Sequence, residues 1–185
     1  LLKAGYFAED HKKSKPEYIE NIGVITGANA AALQDVLSTI QRRWPMMKVT
    51  LYPSLVQGNL APKSLVQSLK KADLCGHDAL LIVRGGGSFE DLFCFNDVEL
   101  VKTIYDLNTY IVSGVGHEVD TTLCDLVCDH RSVTPTAAAQ WVSIDQNEVM
   151  AKIIKDKVLL SRNMSIILDQ YRSKLNLYQN HPYLK

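Results

Sequence analysis

The chain has 185 residues, 46% of them apolar and 22% charged, with 20 basic residues balanced by 20 acidic ones. That is enough for one domain with an appendage, and too apolar for a disordered tail. The zero net charge excludes a polybasic nucleic-acid coat and an acidic solvating tail, and leaves the local field of a groove open.

Residues 1–21, beginning LLKAGYFAEDHKKSKPEY, hold no apolar segment followed by a small-residue cleavage site, so no secretion signal is expected. They read as a charged connector, and Leu1 suggests a chain continued from a preceding domain. No apolar run approaches the ~20 residues of a membrane span. Cys75, Cys94, Cys124 and Cys128 lack C-x-x-C spacing. Reduced thiols in a cytoplasmic protein are expected, with a zinc site at Cys124, Cys128, His117 and His130 as the alternative.

IGVIT (22–26) is a short β-branched run, expected as a fully buried strand. Residues 29–44 follow at helical period with Asn29 as N-cap, until Pro45. Residues 48–56 read as a second strand. Residues 61–72, with proline in the first turn, read as a second helix. Residues 79–86 form the third strand, 98–107 the third helix and 110–116 the fourth strand. This alternation predicts an α/β fold, an open, doubly wound, mainly parallel sheet spanning residues 22–143. Ligands of such sheets sit at the carboxyl ends of the strands. From Ile144 a long amphipathic helix is expected, with Ile153, Leu160, Ile167 and Tyr171 on a coiled-coil-like stripe. At ~1.5 Å per residue its roughly 35 residues would run some 50 Å, so residues 144–185 are expected to seek a partner.

Two strand ends carry chemistry. In RGGGSFEDLF, Arg84 offers a fork of donors suited to phosphate, and Gly85, Gly86 and Gly87 let backbone amides approach it. Ser88 can cap a helix or donate a hydroxyl. Glu90 and Asp91 fit the first turn of a helix through its dipole, with metal binding as the alternative. In SGVGHEVDTTLCDLVCDHR, His117 projects after two glycines, with Asp120 three residues on. TTLCDLVCDH (121–130) reads as a short helix; if Glu118 starts a helix, Asp120 lies in its first turn, within reach of the imidazole. A carboxylate-oriented histidine suits proton transfer or attack on phosphorus. Asp125 and Asp129 are expected to be solvated or paired with Arg131. The first turn, TGANAAALQD, is a generic anion site, and spacing alone makes Asp35 a surface acid.

The motifs ITGANAAALQD, YPSLVQG, RGGGSFEDLFCFND and GVGHEVDTTLCDLVCDHRSVTPTAAAQ, in that order, resemble the large subunit of exodeoxyribonuclease VII. The resemblance spans Ile22 to about Ser143, and the following helix also fits. It implies an N-terminal OB-fold outside this chain, and a catalytic domain degrading single-stranded DNA from both ends to oligonucleotides. It implies no requirement for a divalent metal or other cofactor. Its helical segment would recruit several copies of a small subunit. It places catalytic roles on Asp35, Arg84, His117 and Asp120. Gly85, Gly86, Gly87 and Ser88 would contact phosphate, with Glu90, Asp91, Glu118 and Asp125 as supporting residues. Departures from the family pattern include Phe93 where tryptophan is usual and Gln140 where glutamate is usual. Two other classes use the same residues: a non-catalytic binder of a phosphorylated small molecule, and a scaffold acting through its long helix.

Overall fold

The computed structural model of the chain describes all residues except 87–88, 117–119 and 181–185, and of residues 89–90 the backbone alone. Five strands form one sheet: β1 (Asn21–Thr26), β2 (Lys48–Pro53), β3 (Ala79–Val83), β4 (Tyr110–Gly114) and β5 (His130–Arg131). Their order is β2-β1-β3-β4-β5 and every neighbouring pair is parallel. The helices of this unit are α1 (Ala31–Arg43), α2 (Ala61–Asp73), α3 (Val98–Asp106), α4 (Leu123–Val127) and α5 (Pro135–Val142). A 3-10 segment, Phe89–Asn96, connects β3 to α3.

Side-chain alternation along the strands feeds two cores. Ile22 and Val24 of β1, with Leu81, Val83 and Val112, pack against Ala32, Leu33 and Val36 of α1 and Ala138 and Ala139 of α5. Ile25, Leu80, Ile82 and Ile111 face the opposite way, onto Leu65 and Leu69 of α2 and Leu100 and Ile104 of α3. Each such side chain is fully buried or nearly so, worth about 1.5–3 kcal/mol of transfer free energy. Covering both faces explains why the strands read as unbroken apolar runs.

Residues 1–144 form one compact unit and 145–185 another. The first segment lies against the sheet unit: Lys13 donates its backbone N–H and its ammonium to Asp129, and His11 stacks on Tyr105 at 3.6 Å. Asp129 also accepts the Ile111 amide at 2.7 Å. The second unit is the helix α6 (Gln146–Gln179), opened by Asp145, whose carboxylate accepts the Asn147 amide. All of its residues except Gln146 and Val149 are exposed, including Ile153, Leu160 and Ile167.

Three local expectations are corrected. Helix α1 starts one residue later than read, with Ala30 rather than Asn29 as N-cap, and that cap supplies no side-chain acceptor. The short helix read over residues 121–130 is α4, and it begins at Leu123. There Thr122 and Asp125 form a reciprocal capping box, so Asp120 precedes the helix rather than lying in its first turn. Strand β5 was not foreseen, and exists through pairing with β4, His130 opposite Val112 and Arg131 opposite Ser113.

Candidate active site

The order β2-β1-β3-β4-β5 reverses direction between β1 and β3, and that switch point opens a crevice beyond the strands' carboxyl ends. On the β1 side the chain passes Gly27 into α1. No acid sits in the first turn of that helix, and among the described residues no side chain accepts from its first amides. On the β3 side, a Cβ on Gly85 would lie 3.7 Å from the Ala32 nitrogen. The loop after β3 therefore runs directly over the start of α1, and Gly86 beside it is open on all sides.

Arg84 closes β3 with only 5% of its surface exposed. Its Nη2 donates to Asp91 Oδ2 at 3.0 Å. The 3-10 segment brings Asp91 back to the strand end. Cys94 fastens that segment, lying 3.4 Å from both the Asp91 and Val56 carbonyl oxygens and able to donate its S–H to either. Burial pushes the Cys94 thiol up to about 11, so it stays neutral.

The loop after β4 is the neighbouring wall. Val83 pairs with Gly114 and the Arg84 amide donates to the Gly114 carbonyl at 3.3 Å, so the two loops leave from adjacent points. Gly114 is required by close packing: a Cβ there would meet Ala138 at 3.0 Å and the Thr134 carbonyl oxygen at 3.1 Å. At Gly116 a Cβ would collide with the Asp120 carbonyl oxygen. The loop thus folds back on itself, leaving Asp120 half-buried next to Gly116. Asp125, fully buried, accepts the Thr122 amide and hydroxyl, each at 2.8 Å, and a short hydrogen bond from the Ser113 hydroxyl.

The structure brings Arg84, Gly85, Gly86 and Asp91 together on one loop, and Gly116, Asp120 and Asp125 on the adjoining one. Asp35 stands apart: it is exposed on α1, and its carboxylate has no hydrogen bond among the described residues. Gly87, Ser88, His117, Glu118 and the Glu90 side chain lie outside the described residues. Asp125 and Asp129 are not solvated. Asp125 serves the α4 cap, and Asp129 binds Lys13 and Ile111. For the zinc alternative, Cys124 and Cys128 meet at 3.9 Å, but His130 is stacked on Trp141 at 3.6 Å, and no group of three metal-ligating side chains occurs among the described residues. The role of Asp91 as Arg84's partner was missed in the sequence. The seven-residue spacing carries no periodic signal, because a 3-10 segment and a glycine turn set it.

No helix among the described residues is long and apolar enough to cross a membrane. Fold and site together define a flavodoxin-order α/β protein whose switch point carries glycines and an Arg84–Asp91 ion pair. Comparison with known proteins carries this further. A family model described as exonuclease VII, large subunit, matches residues 6–183, and the chain belongs to that family. It is 43% identical over 176 residues to the exodeoxyribonuclease 7 large subunit of Oceanobacillus iheyensis, covering 95% of this chain and 39% of that protein. The namesake of Lactobacillus acidophilus is 41% identical over 182 residues, covering 97% and 40%. That of Yersinia enterocolitica is 41% identical over 191 residues, covering 100% and 42%. The chain thus spans about two fifths of the length of these relatives.

Proposed function

We propose that this chain is the catalytic part of an exodeoxyribonuclease VII large subunit, hydrolysing phosphodiester bonds of single-stranded DNA from both ends to oligonucleotides in the cytoplasm. The observation that supports this most is the buried Arg84 guanidinium at the switch point, paired with Asp91 at 3.0 Å beside Gly85, in a chain of this family. Arg84 and the glycine-loop amides bind the scissile phosphate, and stabilise the charge that grows on its oxygens during displacement. Asp120 orients His117, and Asp35 positions the histidine, the water or the arginine. His117 either takes the proton of a water attacking phosphorus or attacks phosphorus itself. If water attacks, the P–O bond to the departing nucleotide breaks and the imidazolium returns its proton to that oxygen; if histidine attacks, that oxygen takes a proton from solvent, and a water then cleaves the P–N bond, releasing the phosphate and freeing the histidine.

In this reading the cationic arginine and the amides supply the positive charge, so no divalent metal is required. The exposed α6 receives several copies of the small subunit along its apolar stripe. The test is digestion of end-labelled single strands by the assembled enzyme. His117→Ala is expected to abolish cleavage while keeping strand affinity, and the parent enzyme to go on cutting in excess EDTA. Cleavage by His117→Ala at the parental rate would overturn the mechanism. Aspartate at Ile153, Leu160 or Ile167 is expected to release the small subunit without unfolding residues 1–144, as read by sedimentation and circular dichroism.

A further inference from the structure

A pocket of about 530 Å³ opens beside the candidate site. Asn59, from the turn between β2 and α2, and Pro62, in the first turn of α2, form one wall; Phe93, Cys94 and Asn96 of the 3-10 segment and Asp97, the N-cap of α3, form the other. Gly58, at φ 83°, makes the turn that opens its floor. Both walls belong to strand-to-helix connections, so the pocket lies on the same edge of the sheet as Arg84. Phe93 is 64% exposed, an unusual position for the most apolar aromatic side chain.

The geometry points to a nucleobase subsite for the nucleotide next to the scissile phosphate, a proposal that rests on the single-strand nuclease reading. Phe93 offers a flat aromatic face, on which any base can stack. Polar groups with capacity to spare ring it. Asn96 uses its Oδ1 to accept the Leu123 amide at 2.8 Å, which leaves its NH2 to donate. Asp97 uses Oδ1 on the Glu99 and Leu100 amides, which leaves Oδ2 to accept. Asn59 makes no hydrogen bond among the described residues. One aromatic face with mixed donors and acceptors at its rim matches the flat, polar-edged shape of a base. It does not match a phosphate, because the lining holds a carboxylate and no basic residue. It does not match an aliphatic chain, because the rim is amide and carboxylate. The pocket is also tied to the reacting centre. Phe93 follows Asp91 by two residues, and Cys94, which lines the pocket, lies in hydrogen-bonding range of the Asp91 carbonyl at 3.4 Å. The Asn96 bond to Leu123 fixes the start of α4, just beyond Asp120.

The experiment uses the full-length chain assembled with its small subunit. The probes are end-labelled oligothymidylate and the same strand with one abasic unit stepped along it. Phe93→Ala is expected to raise KM about tenfold with kcat within about twofold of parent, the scale of losing one base–aromatic stack. Phe93→Trp is expected to restore KM. In the parent, one abasic position should produce the same loss, and Phe93→Ala should be blind to that position. An unchanged KM overturns the proposal, as does equal sensitivity of parent and Phe93→Ala to every abasic position. Loss of assembly in sedimentation, with strand affinity intact, overturns it in favour of a protein contact. Repeating the abasic scan by fluorescence anisotropy on His117→Ala separates the two readings. If the parent fails to cleave, the nuclease reading falls, while the base subsite still stands or falls on binding.

Discussion

Arg84 and Asp91 form an ion pair whose cation is buried and whose anion reaches solvent: the guanidinium side chain is 4% exposed, the carboxylate 33%. The asymmetry sets how the crevice meets a ligand. The guanidinium is fixed in place by the fold, whereas the carboxylate sits on the accessible side, where an incoming phosphate can compete for the same donors.

Arg84→Lys is expected to fold normally, because the charge stays, and to lose about 100-fold or more of cleavage, because an ammonium cannot reproduce the planar fork. Asp91→Asn removes the competing carboxylate. It is expected to tighten strand binding a few-fold at low salt, lower kcat through a less firmly oriented guanidinium, and cost about 1–2 kcal/mol of stability as a partly exposed pair. Anisotropy, end-label digestion and urea unfolding read the three effects.

Gly86 and Gly116 separate ligand approach from backbone fit. A Cβ at Gly86 meets nothing, so Gly86→Ala should keep its unfolding midpoint and lose affinity for the strand. A Cβ at Gly116 meets the Asp120 carbonyl, so Gly116→Ala is expected to cost about 1–3 kcal/mol and to lower cleavage by displacing Asp120. Equal stability of the two variants would contradict this placement of the loop.

Asp125 is buried among the donors of Thr122 and Ser113, so its replacement should act on the fold rather than on chemistry. Asp125→Ala is expected to destabilise by about 2–4 kcal/mol, since it orphans buried hydrogen-bonding groups. At a temperature where the variant is folded, cleavage per folded molecule should remain close to parental.

Stability should fall as pH drops below about 6.5, the unfolded imidazole value. Burial holds His77 below that value, partly opposed by Asp78. Burial, then the charges of Lys15 and Lys12, does the same to His130. Folded molecules therefore bind fewer protons than unfolded ones in this window, so the contribution is complete above it and lost on acidification. His77→Gln should flatten part of the slope in melting temperature between pH 7.5 and pH 5. Asp73 acts further down. Burial raises its pKa, but the Thr109 hydroxyl and amide, the Asn108 amide and Lys13 outweigh that and hold it below the usual carboxylate range. Its contribution is present above about pH 4 and is lost as pH falls through the lowered value.

The sheet was legible because parallel strands covered on both faces must be apolar runs, and the intervening helices carry their own period. Strand β5 was not: two residues have no period, and His130–Arg131 is extended only because β4 offers an edge. Helix α4 was legible within residues 121–130, but its exact start was not, because the capping-box spacing of Thr122 and Asp125 went unread. In the site, Arg84 and the glycines announced themselves by type. Asp91's partnership did not, because it depends on a 3-10 segment folding back. Asp35 was drawn in by resemblance, and it lies exposed on α1 with no hydrogen bond to its carboxylate among the described residues.

The Asp129 carboxylate engages two parts of the chain: Lys13 at the N-terminal segment, and the Ile111 amide near the start of β4. A tug on the N-terminal segment would therefore not peel off a loose flap. It would load β4 lengthwise, against the hydrogen bonds of β3 on one side and β5 on the other, and the opposite end of that strand is Gly114. Mechanical tension on the N-terminal segment is thus delivered, through a single carboxylate, to the strand from which the loop bearing Gly116 and Asp120 departs.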